Sequence, residues 1–109
     1  MSGPGALLLV RAVVPDPADR AAFDRWYEEE HLPEAVAAFG ALRARRGWSE
    51  LDPAVHWAIY ELETVEAGRA ILASAALRTL IAAFDRRWGD RVTRSRELVR
   101  LVQGLEGGR

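Results

Sequence analysis

Two stretches, 6–14 and 55–63, alternate with a period of two and yet are mostly apolar on both pleat faces. In the first, Leu8, Val10, Ala12 and Val14 share one face while Leu7, Leu9, Arg11 and Val13 share the other. In the second, His56, Ala58, Tyr60 and Leu62 lie opposite Trp57, Ile59 and Glu61. Strands of this kind require cover above and below, and the first is expected to be central in its sheet. Helices can cover one face. The other face of a small sheet then needs a second sheet, which implies a partner copy of the chain.

The segments between these strands supply the helices. Asp16 and Pro17 form a helix start, with the acid as N-cap and the proline in the first turn. Ala22, Phe23, Trp26 and Tyr27 then recur at helical spacing, with Glu30, His31 and Glu34 continuing that side and Glu28 and Glu29 facing water. Pro33 disfavours a helical Leu32 and denies a hydrogen bond to the Glu29 carbonyl, so a break or kink is expected near His31. A short turn over 33–39 follows, with Gly40 as its left-handed cap. Residues 41–49 alternate and are polar enough for an edge strand. Thr64 opens a second helical region, and Ser74 caps its second part, where Leu77, Leu80, Ile81, Phe84 and Trp88 make an apolar stripe that Gly89 ends. A last strand is expected over 91–103.

The order strand, helix, strand, strand, helix, strand matches the split βαβ or ferredoxin-like motif, an α+β fold. Right-handed crossovers place both helices on one face of a four-stranded antiparallel sheet. At 109 residues the chain is expected to be one domain, 1–109, with residues 1–5 and 104–109 as loose ends. Two such sheets packed face to face give a dimeric α+β barrel, so a homodimer through the sheet faces is expected.

Composition excludes several chemistries. No cysteine or lysine is present, which removes thiolate nucleophiles, disulfides and lysine Schiff bases, and every one of the fifteen basic side chains is arginine. A net charge of −1 gives no reason to expect nucleic acid as a partner. The apolar run 7–10 is too short to span a membrane, and a cytoplasmic protein is expected. The two histidines, His31 and His56, lack any metal-binding spacing, so no metal is expected. Gly3-Pro4-Gly5 does not sit between strand and helix as a phosphate loop would, and no nucleotide cofactor is indicated.

His31 is the leading candidate for chemistry, because an imidazole exchanges protons near neutrality. Glu30 or Glu34 can orient it, and Tyr27, one turn earlier, can hydrogen-bond to a phenol or carbonyl. Trp26 and Phe23 would form an aromatic wall. A histidine beside a helix-breaking proline also fits a purely structural role, donating to a freed carbonyl. His56 and Tyr60 share a strand face and can line one cavity, under the helices or inside the barrel, although the position of His56 just after a turn also fits a strand end near solvent. Of the strand arginines, Arg11 stands out as a charge on a central apolar strand. Arg43, Arg45, Arg46, Arg94, Arg96 and Arg100 are expected to form cross-strand ion pairs with Glu61, Glu63 and Glu97 at the sheet edges.

Phe23-x-x-Trp26-Tyr27-x-x-Glu30-His31-x-Pro33-Glu34, with Tyr60-Glu61-Leu62-Glu63 further on, resembles the EthD-like group of dimeric α+β barrel proteins over nearly the whole chain. The resemblance implies a superfamily holding cofactor-independent oxygenases, isomerases, cyclases and decarboxylases, several acting on aromatic or polyketide-like compounds. It allows a haem held by a histidine, although nothing haem-specific is present and no cofactor is expected. The expectation is thus a cofactor-independent enzyme with His31, Tyr27 and Glu30 as catalytic residues and Trp26, Phe23, Tyr60, His56 and Arg11 contacting substrate. The alternatives are a non-catalytic dimeric protein binding a small apolar or aromatic ligand, and a stress-related dimer with a filled barrel.

Overall fold

A computed structural model of the chain describes residues 3–108. Four strands, β1 (Ala6–Val13), β2 (Arg43–Trp48), β3 (Val55–Leu62) and β4 (Thr93–Arg100), form one antiparallel sheet in the order β2-β3-β1-β4. The two strands with apolar residues on both faces are therefore the central pair, and the more polar β2 and β4 take the edges. β4 is shorter than expected, since regular structure stops at Arg100 and residues 101–108 follow without it.

Helices cover one face. A turn of 3-10 helix, Pro17–Asp19, leads into α1 (Arg20–Trp26), and Asp16 caps it by accepting from the Ala18 N–H at 2.9 Å. α2 (Leu32–Phe39) ends at Gly40, whose φ of 60° is the left-handed cap conformation. α3 (Val65–Leu72) starts at Thr64, and α4 (Ala75–Trp88) starts at Ser74; the two hydroxyls accept from the N–H groups of Ala67 and Leu77. No single helix among the described residues is long and apolar enough to cross a membrane.

The expected break at Pro33 does not occur. Between α1 and α2 the chain stays helical through a π turn, Tyr27–His31, in which the Leu32 N–H reaches back five residues to the Tyr27 carbonyl. Leu32 keeps helical angles, φ −64° and ψ −46°. One extra residue in the turn loosens the ladder just where proline would deprive it of a donor, so the helix widens instead of breaking.

Register fixes which side chains lie beneath the helices. Four cross-strand rows face them: Arg94, Ala12, His56 and Trp48; Arg96, Val10, Ala58 and Arg46; Leu98, Leu8, Tyr60 and Ala44; Arg100, Ala6 and Leu62. Phe23, Tyr27, Phe84 and Trp88 pack onto these rows, and the core lies between sheet and helices. The opposite face carries Leu7, Leu9, Arg11, Trp57, Ile59 and Val99, and no helix among the described residues lies over it.

Candidate functional site

The π turn determines which way His31 points. Residues five apart in an α-helix are about 140° apart around the axis, whereas the wider π turn brings them onto the same side. His31 consequently stacks on Trp26, ring centroids 4.8 Å apart and planes 20° apart, and turns inward. It also meets the Tyr27 ring edge-on at 4.8 Å. The imidazole is 7% exposed, and its Nδ1 is buried with no hydrogen-bond partner among the described residues.

His56 lies on the other side of the same tyrosine, 4.5 Å from the Tyr27 ring. Its position after a turn does not bring it to solvent. The residue is fully buried, because the helix-facing register places it in a row with Ala12 and Trp48 beneath Phe23. Sequence spacing gave no reason to bring the two histidines together; the fold sets them around one phenol. A polar chain reaches His56 from the edge strand. Asp24 accepts from Trp48 Nε1 and from Arg46, both at 2.9 Å, and the Arg46 guanidinium lies 3.2 Å from His56 Nε2. Arginine only donates, so Nε2 accepts and the His56 proton resides on Nδ1.

Both histidines are neutral at pH 7. Burial lowers the pKa of His31 to about 4, helped by the positive charges of Arg94 and Arg96. Burial, followed by the Arg46 charge, does the same for His56, also to about 4. Burial raises Tyr27 and Tyr60, and their hydroxyls interact, so both remain phenols.

His31, Tyr60, Arg94 and Arg96 line a small cavity closed by Val10, Phe39, Leu77 and Leu80, between α2, α4 and the sheet. Its volume is about 10 Å³, room for a single water. Arg94 forms an ion pair with Asp85 at 3.0 Å and lies 3.7 Å over the Phe84 ring.

The fold thus brings together His31, Tyr27, Tyr60 and His56. Phe23 is near them but packed on all sides, with no exposed surface, and Trp26 lies between His31 and the outer surface. Two candidates stand apart. Glu30 is exposed on the outer side of the helix, beside Trp26 and Arg87, and has no hydrogen bond to His31. Arg11 is exposed on the helix-free face, in a row with Ser95 and Trp57.

Sequence reasoning missed Arg94 and Arg96, which it assigned to ion pairs at the sheet edge. Their phase carried a signal, because they alternate in step with Val92 and Leu98. Of the expected cross-strand pairs, Arg45 to Glu61 is present at 3.0 Å.

No protein-family model and no curated protein matches the chain. Solved structures do. The chain is similar to HapK from Hahella chejuensis, with a TM-score of 0.68 at 15% identity over 94% of this chain and 99% of that one. It is similar to an EthD family protein from Bacillus halodurans, with a TM-score of 0.59 at 15% identity over 84% and 96% of the two chains. SnoaB, a cofactor-independent oxygenase from Streptomyces nogalater, matches with a TM-score of 0.57 at 19% identity over 94% and 99%. These likenesses give the chain the ferredoxin-like α+β fold, the architecture that the EthD-like resemblance implies.

Proposed function

We propose that the chain is a small cofactor-independent enzyme that transfers a proton on, or directs oxygen to, an aromatic or polyketide-like metabolite. The observation that carries this reading is the inward-facing, neutral His31, which has an unpartnered Nδ1 and lines a cavity with Tyr60 and two arginines. A neutral imidazole with an unpaired ring nitrogen has a lone pair or an N–H free for a ligand; with a pKa of about 4 it is a weak base at pH 7, suited to a transient proton transfer in which the imidazolium does not accumulate. Tyr27 and Tyr60, held as phenols, are donors for a carbonyl or phenolic oxygen. SnoaB, similar in fold, is described as a cofactor-independent oxygenase, which favours this chemistry.

His31→Gln, assayed by oxygen uptake and proton exchange on a panel of hydroxylated polycyclic aromatics, is expected to lower turnover about 10²- to 10⁴-fold with the fold retained. An unchanged rate would end the assignment. The apolar part of the lining, Val10, Phe39, Leu77 and Leu80, favours a second reading, a non-catalytic protein that binds a small apolar ligand. Saturable binding of the same compounds without turnover by the unaltered protein would select it.

A further inference from the structure

The same cavity carries an uncompensated positive charge. Arg94 and Arg96 both enter it from β4, but only Arg94 has a carboxylate, Asp85, and that carboxylate is itself turned largely to solvent. Arg96 is half-buried and has no ion pair or side-chain hydrogen bond among the described residues. The other polar groups around it cannot supply the missing charge, since His31 is neutral and Tyr27 and Tyr60 are phenols. The remaining lining, Val10, Phe39, Leu77 and Leu80, is apolar.

A partly desolvated guanidinium is costly without a partner, and its planar fork is suited to one or two anionic oxygens. We infer that Arg96 is the anchor for an anionic oxygen of the ligand, and that the site takes a mainly apolar molecule bearing one acidic hydroxyl, a phenol or an enol, bound as its anion. Ionisation breaks only the O–H bond; the electron pair stays on the oxygen facing Arg96 and the proton passes to water. This rests on the reading of the His31 cavity as the site and specifies which molecules it selects.

The test uses 4-nitrophenol, whose ionisation is visible, with 4-nitroanisole as a neutral control of similar shape. Bound 4-nitrophenol is expected to ionise at least one pH unit below the free compound, a tenfold preference for the anion. Arg96→Gln is expected to abolish that displacement while 4-nitroanisole still binds, and Arg96→Lys, which keeps the charge without the fork, to retain part of it. An unshifted or upward-shifted ionisation, or a shift that survives in Arg96→Gln, overturns the anion anchor alone. Failure of both probes to bind overturns the cavity as the site, and the anchor with it.

Discussion

His31 and His56 are buried bases that the fold keeps uncharged, and this ties stability to pH. An unfolded histidine takes up a proton near its ordinary value of 6.5, whereas the folded pair does so only at about 4. Between those values the unfolded chain binds more protons, so stability is complete above about pH 6.5 and falls as the solution is acidified toward pH 4. Each histidine accounts for up to about 3 kcal/mol. Asp24, held below the ordinary carboxylate range by hydrogen bonds from Trp48 and then Arg46, adds its loss only below the usual 3.8. Urea midpoints at pH 7 and pH 4.5 are expected to differ clearly, and His56→Gln to shrink the difference. Equal midpoints would show that the imidazoles are not held neutral. His56 also illustrates what one residue's neighbours in sequence conceal. Its turn-adjacent position fits solvent exposure, yet pairing with Ala12 and Trp48 buries it completely.

At the scale of elements, α3 approaches the sheet closely only because residue 68 is a glycine. A Cβ there would run into the Leu98 side chain and meet Leu62 at 3.2 Å. Gly68→Ala is expected to lower stability by about 1–3 kcal/mol despite the better helix propensity of alanine, read as a fall in the thermal midpoint; a stabilised variant would mean that Leu98 repacks freely. Helix starts and stops were legible, because Asp16, Thr64, Ser74 and Gly40 act locally through their own side chains or backbone angles. The π turn was not. Pro33 announces a missing donor, but whether the helix breaks or widens depends on Trp26, Tyr27 and His31 packing against α4 and the sheet. The direction of Arg94 and Arg96 was legible only as a phase, in step with Val92 and Leu98; which of the two faces of β4 lies under the helices follows once β4 is paired with β1 in register.

The molecule as a whole has one face that its own helices never cover. Leu9 and Ile59 pair across its centre, with Leu7, Trp57 and Val99 around them. We propose that a second copy covers it, sheet against sheet. Sedimentation is expected to give twice the 12.1 kDa chain mass at micromolar concentration, and Ile59→Arg to give the single chain. A folded monomer in the unaltered protein would exclude this arrangement. The central place of β1 and the edge place of β2 were readable from the sequence, since two-faced apolarity in the one and polarity in the other are properties of alternation alone.

The space beside His31 holds no more than one water, and that sets a timetable. If the proposed ligand binds here, the space must widen to admit it, and the apparent affinity is then the intrinsic one reduced by the fraction of chains in the wider form. Capture would then level off at the rate of that widening however much ligand is supplied, and residence would be governed by how seldom it recurs.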